Sequence, residues 1–291
     1  MSSFFAPADP SSWKKAPISE RREKRGTLGP WFASGGADLR WRPPSPALEP
    51  FVYGHWEARW NFSEGEPPRP AETLRHPCVN LVAHPSHLEV WGIGLTRWAH
   101  DGGLEGRMAG TRFRPGAFAF FSPGPVRLLN DRKVTLAEAF GEAAASAIES
   151  VAFDRPVDAY LDFVEEFLID ASPAIGARYE LVRMVTESMR ETPGEATVDE
   201  IARAHGVSVR ALQSAFPDYV GVGPKWVLKR YRMHEAVERI ATGGYDDAAS
   251  LATDLGYFDQ AHFIRDFKEQ VGLSPGAFAR MSRMESETAT A

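Results

Sequence analysis

The sequence predicts an α+β chain: a β-rich N-terminal domain of barrel or sandwich type, connecting helices, and an all-α C-terminal domain of two helix-turn-helix units. Three observations carry this. Residues 31–130 hold short aromatic and β-branched runs separated by Pro/Gly clusters, such as EGEPPRP at 64–70, HDGG at 100–103 and SPGP at 122–125. From Lys133 onward the chain turns Ala- and Glu-rich, with apolar residues at helical spacing. The C-terminal stretch then repeats itself with a period of about fifty residues.

Taken in order, residues 1–30 are polar, charged and rich in Pro and Gly, and read as a mobile arm. Residues 31–135 read as the β-rich domain. Its candidate strands are Phe51–Phe62, Cys78–Ala83, Leu88–Leu95, Met108–Phe113 and Ala117–Phe121. Residues 136–192 read as connecting helices. The first covers Leu136–Ser150. Pro156 opens a second that runs to Asp170, with Tyr160, Leu161, Val164, Phe167 and Leu168 on one face. Pro173 opens a third through Ile175, Tyr179, Val182 and Val185, and TPGE at 192–195 closes the block. Residues 193–284 form the last domain, and 285–291 a flexible tail.

The two repeats are TVDEIARAHGVSVRALQSAFPDYVGVGP at 197–224 and DDAASLATDLGYFDQAHFIRDFKEQVGLSP at 246–275. Ala202 and Gly206 match Ala252 and Gly256. Phe216, Val220, Gly221 and Pro224 match Phe267, Val271, Gly272 and Pro275, with one residue of difference in the spacing between the halves. The alanine allows close helix packing, and the glycine ends the first helix in a left-handed conformation. Ser208 and Asp259 stand where the second helix needs an N-cap. Leu212 and Phe216, like Phe263 and Phe267, lie one turn apart and face inward. Pro217 is expected to end the first unit's second helix early. Pro224–Thr242 joins the units as one helix, with Trp226, Met233, Val237 and Ile240 as its apolar stripe and Gly243–Gly244 as its stop.

These motifs make residues 197–280 similar to the AraC/XylS DNA-binding domain. Its second half reads GF-x-x-x-x-x-F-x-R-x-F-K-x-x-x-G-x-(S/T)-P, and this chain has GYFDQAHFIRDFKEQVGLSP at 256–275. The N-terminal stretches RHPCVNLV, TRFRPGAF and LLNDRKVTLAEAFG resemble a small sensor-like domain of unassigned ligand that precedes this domain in some bacterial regulators. The resemblance implies a sequence-specific, promoter-binding transcription regulator with no catalytic residues and no cofactor. It implies modulation by a small-molecule effector or by homodimerisation, and RNA polymerase as a partner. It places base contacts on Arg210, Gln213 and Ser214 in one recognition helix, and on Gln260, Ala261, His262 and Arg265 in the other. Arg suits guanine and Gln adenine, and Ala261 suits a thymine methyl. Ser208, Lys225, Lys229, Arg230 and Lys268 are the candidate phosphate contacts, with Arg232 beside them. The plain alternative for each face is a solvated helix surface.

Bulk numbers bound this reading. Hydrophobic residues make up 43% of 291, enough for packed cores. No apolar run reaches the roughly 18–20 residues that span a bilayer. The first residues lack the apolar stretch of a secretory signal, so a cytoplasmic location is expected and a membrane partner is not. The net charge is −6. Residues 196–284 hold eleven Lys/Arg and eleven Asp/Glu, so DNA binding must rest on where charges sit. Of the acids near the expected DNA surface (Asp218, Asp259, Asp266 and Glu269), only Asp259 has a role assigned by the pattern. Cys78, alone, cannot form an internal disulfide or a Cys-rich zinc site, and it argues against Ada-type methyl transfer. His55, His76, His84, His87 and His100 gather in the β-rich region without a metal-binding spacing, so no metal is expected. They leave one alternative, a metal-dependent β-barrel enzyme fused to a DNA-targeting module. Trp56, Trp60 and Trp91 suit a ligand pocket less well than a core.

Overall fold

The computed structural model describes residues 37–62, 71–96, 98–100, 104–152, 156–172, 174–194 and 196–288. The expected arm at 1–30 and the helix-opening Pro173 lie outside them.

The N-terminal part is built from strands β1 (Ala37–Arg42), β2 (Val52–Asn61), β3 (Ala71–Thr73), β4 (Asn80–Ala83), β5 (Leu88–Trp91), β6 (Trp98–His100), β7 (Glu105–Phe113) and β8 (Lys133–Val134). Six form one antiparallel sheet in the order β1-β2-β7-β4-β5-β8, and β3 pairs with β6 separately. Both faces of the larger sheet are covered, and alternation along β4 shows how. Leu81 and Ala83 join the main core, while Val82 points to a second cluster with Trp41, Trp56, Trp91, Met108 and Cys78. Cys78 is buried there, and Trp56 and Trp91 are core residues with ring centroids 6.5 Å apart. Ala117–Phe120, expected as a strand, is a 3-10 turn. Its consecutive apolar residues serve a one-turn helix whose Phe118 packs against Phe113 and Phe140.

Among the described residues ten α-helices follow: α1 (Leu136–Phe140), α2 (Glu142–Ala152), α3 (Val157–Ala171), α4 (Ala177–Glu191), α5 (Val198–Ala204), α6 (Val209–Tyr219), α7 (Pro224–Ala241), α8 (Ala248–Asp254), α9 (Gln260–Val271) and α10 (Pro275–Thr288). Leu136–Ser150 is therefore two helices, broken where Gly141 takes φ 90°. The third connecting helix starts at Ala177, which leaves Ile175 outside it and 40% exposed. Pro217 does not end α6, which runs on to Tyr219. Near the C-terminal end of a helix a proline costs only one backbone bond, and Val220 still donates to Phe216 at 2.7 Å. Residues 285–288, expected in a flexible tail, are the last turn of α10.

A buried polar chain ties α3 to the sheet. His55 on β2 is fully buried between the Thr111 hydroxyl (2.9 Å) and a Glu165 carboxylate oxygen (2.8 Å), which also accepts from the Ser45 N–H at 3.0 Å. Burial holds the His55 imidazole below its ordinary range despite Glu165. Burial pushes the Glu165 carboxyl up, but the hydrogen bonds from His55 and Ser45 bring it down to about 2. Neutral His55 thus donates to a carboxylate.

The main core does not stop at the sheet. It runs from Val79, Phe113 and Leu129 through Tyr160, Leu161 and Tyr179 into Leu212, Phe216, Val227 and Leu228. The first C-terminal unit therefore shares its core with the N-terminal part. The second has its own, formed by Met233, Val237, Leu251, Phe263, Phe267 and Phe278, joined by Leu74 from the loop before β4.

Candidate nucleic-acid interface

Each C-terminal unit is two helices at a tight turn, and the caps are those the sequence requires. Thr197 starts α5 through a capping box with Glu200, a T-x-x-E signal the sequence reading passed over. Gly206 and Gly256 end α5 and α8, both at φ 68°, where a side chain would be strained. Ser208 Oγ accepts from Ala211 N–H at 3.2 Å, and Asp259 from His262 N–H at 2.6 Å. Leu212, Phe216, Phe263 and Phe267 are fully buried, which fixes the outward faces of α6 and α9.

Those faces carry the expected residues. Arg210, Gln213 and Ser214 are exposed on α6, and Gln260, Ala261, His262 and Arg265 on α9. Among the described residues Arg210 and Arg265 form no ion pair, so both guanidinium groups are open to a partner. His262 is more constrained: its Nε2 lies 3.3 Å from Asp266 and its ring meets Tyr257 edge-on at 5.2 Å. One residue the sequence reading missed joins this face. Phe258, between Gly256 and the cap Asp259, is 95% exposed. It is the extra residue of the second repeat, since Ser208 follows Gly206 by two positions and Asp259 follows Gly256 by three. Val207 and Tyr257, the residues after each glycine, both pack on their cores. The insertion therefore emerges at the start of α9, beside Gln260.

The charges sort into two groups. Lys225 and Lys268 are exposed and, among the described residues, make no ion pair. Lys229 is held by Asp266 at 2.9 Å. Arg230, a candidate phosphate contact, is instead 2% exposed. It donates to the carbonyl oxygens of Arg75 (3.2 Å), Gly94 (3.2 Å) and Leu95 (3.0 Å) and lies 4.4 Å over the Trp226 ring. Helical periodicity turns position 230 away from solvent, a direction that a count of basic residues does not reveal. Burial lowers its pKa to about 10, which leaves it charged at neutral pH. Arg232 is similarly occupied, with carbonyls of Pro193, Ala196 and Gly256. The acids are also spent: Asp218 pairs with Arg127 of the N-terminal part, Asp266 with Lys229, and Asp259 caps α9, which leaves Glu269 exposed.

Further contacts fasten the C-terminal units to the N-terminal part. Asn130 Nδ2 donates to Gly221 O at 2.8 Å, and the His76 and His234 rings stack with centroids 3.9 Å apart and planes 8° from parallel. The five histidines of the β-rich region are thus dispersed: His55 to Glu165, His76 to His234, and His84 with His87 at the β4–β5 turn. The side chain of His100 lies outside the described residues.

Comparison with known proteins matches two separate parts of the chain. Residues 201–281 match the family described as a helix-turn-helix domain, and residues 40–135 a domain of unknown function (DUF6597). The probable thc operon regulatory protein of Rhodococcus erythropolis is 30% identical over 110 residues, which are 37% of this chain and 32% of that protein. The uncharacterized HTH-type transcriptional regulator YtdP of Bacillus subtilis (strain 168) is 33% identical over 95 residues, 32% of this chain and 12% of that protein. The matches thus span only 32% and 12% of the lengths of these relatives. Among solved structures, the C-terminal domain of AraT, a response regulator from Geobacillus stearothermophilus, aligns at 22% identity and TM-score 0.33, covering 36% of this chain and 88% of that one. ToxT from Vibrio cholerae O395 aligns at 10% identity and TM-score 0.36, covering 70% and 85%. The C-terminal part of the chain, residues 201–281, thus carries a helix-turn-helix domain, and it follows a domain of unknown function.

Proposed function

We propose that the chain is a sequence-specific DNA-binding transcription regulator and not an enzyme. Its unit at 193–284 binds a promoter, and its part at 31–135, joined through the helices of 136–192, adjusts that binding. The observation that supports this most is the pair of exposed faces on α6 and α9, one on each side of the single helix α7. With 18 residues, α7 is about 27 Å long at 1.5 Å per residue. A rigid spacer of that order suits two helices entering successive major grooves, which lie about 34 Å apart. Arg210 and Gln213 read one half-site and Gln260, Ala261 and Arg265 the other, while Lys225 and Lys268 touch phosphates.

The regulatory part acts through the contacts that fasten it to α7. A small-molecule effector, or a second copy of the chain, that favours one arrangement of this junction shifts DNA affinity by the difference in its own affinity for the two arrangements. RNA polymerase is the partner such a regulator addresses, and the cytoplasm its place; no described helix is long and apolar enough to cross a membrane. The test is fluorescence anisotropy of labelled duplexes with the full chain at two salt concentrations. Saturable binding that weakens with salt and is lost in Arg210→Ala/Arg265→Ala supports the reading. Binding unchanged by that double substitution overturns the assignment of the two faces.

A further inference from the structure

The hairpin between β4 and β5 carries three metal-ligating side chains within six residues: His84, His87 and Glu89. One ligand atom from each lies within 4.8 Å of the others, and among the described residues no other group of three comes as close. The turn that presents them is fixed. Ala83 pairs with Leu88, and the His84 N–H donates to His87 O at 2.9 Å. Two of the ligands are sheltered, with the His84 and Glu89 side chains 11% and 15% exposed, while His87 stands at the rim.

The donor chemistry is ready for an ion. One Glu89 carboxylate oxygen accepts from His84 Nε2 (2.9 Å) and from the Trp91 indole (2.6 Å) and lies 3.5 Å from Lys133 Nζ. A carboxylate only accepts, so in the ion-free hairpin the proton between them belongs to His84 Nε2. A metal ion takes the place of that proton between Nε2 and the carboxylate, and the proton passes to Nδ1 or to solvent.

Geometry asks for one movement. The His84 and His87 rings are stacked, 4.3 Å between centroids and 4° from parallel, so their in-plane lone pairs run side by side. Ligand atoms about 2.1 Å from a tetrahedral ion sit about 3.4 Å from each other. Turning the exposed His87 about its side-chain bonds closes the difference. Lys133 Nζ lies 3.5 Å from Glu89 and 4.8 Å over the Trp91 ring, and its side chain is 38% exposed.

We propose that His84, His87 and Glu89 bind one divalent transition-metal ion of the zinc, cobalt and nickel class. Two imidazoles with one carboxylate select these ions over magnesium or calcium and leave coordination positions for water or a small ligand. This site goes beyond the DNA-binding reading and does not depend on it.

The test uses the full chain, stripped with a chelator and titrated with Zn²⁺ by calorimetry and with Co²⁺ by visible absorption. One ion per chain is expected. His87→Ala changes an exposed turn residue and leaves the fold, checked by circular dichroism, intact. It and Glu89→Gln should each weaken binding at least as much as the roughly 10–100-fold that loss of an outer-sphere partner costs. No ion bound by the wild type at millimolar Zn²⁺ overturns the site. So does an ion whose affinity neither substitution changes, since it would then sit elsewhere, for instance at His76 and His234.

Discussion

Arg230 on α7 donates to the carbonyl oxygen of Leu95 at 3.0 Å, across the boundary between the DNA-binding unit and the sheet region. With its bonds to Gly94 and Arg75, one guanidinium satisfies three loop carbonyls. The helix that joins the two helix-turn-helix units is thereby held by the part proposed to sense a signal. Arg230→Ala leaves those carbonyls without their cation and should cost about 2–4 kcal/mol in denaturant unfolding. Arg230→Lys should recover only part, because an ammonium lacks the planar fork. Full stability in Arg230→Ala would remove Arg230 as the fastening point.

Helix α9 should respond to its cap and its insertion in opposite ways. Asp259→Ala removes the acceptor for the His262 N–H and should destabilise by about 1 kcal/mol. Phe258→Ser, at a residue 95% exposed, should change stability by less than about 0.5 kcal/mol. It should instead weaken binding to the selected DNA site several-fold, as expected of an apolar contact with a thymine methyl. Thermal melts and anisotropy titrations of the two variants separate the effects.

Lys225 and Lys268 should govern salt dependence without governing sequence preference. Each substitution to Ala should reduce the slope of log affinity against log salt by about 1 and weaken all sequences alike. Arg230→Gln should leave that slope unchanged, because its charge faces carbonyls and not solvent.

Acid should loosen the joint between β2 and α3. The His55 pKa is depressed in the folded chain, so its contribution is present above the ordinary histidine range near 6.5 and is lost as pH falls through it. The Glu165 carboxyl lies at about 2 against an ordinary 4.5, so its contribution is complete above 4.5 and fades as pH drops toward 2. Glu165→Gln should lower the melting temperature at pH 7 and flatten its decline below pH 4.5. A variant with the wild-type acid profile would contradict this role for the pair.

The helical half was legible where a local rule dictates a residue. Gly206 and Gly256 in left-handed turns, Ser208 and Asp259 as caps, and the buried Phe pairs all follow from one-turn geometry. Pro217 misled because the last turn of a helix tolerates a missing N–H. The pairing of β1 with β2 and of β8 with β5 was not readable, since short strands gain their meaning from distant partners. Arg230 was misplaced for the same reason: its carbonyl partners lie at least 135 residues away in sequence. The His84–His87–Glu89 group escaped notice because H-x-x-H-x-E fits no helical zinc spacing, and only the hairpin turn brings it together.

The central claim, that two helix faces read DNA together, is tested most directly by selecting bound sequences from a random duplex pool with the full chain and with Arg210→Ala/Arg265→Ala. The account predicts an enriched motif of two blocks, their centres about one helical turn apart, with both blocks lost in the double variant. An enriched motif that the double variant selects equally well, or no enrichment by the folded wild type across the salt range, would contradict it.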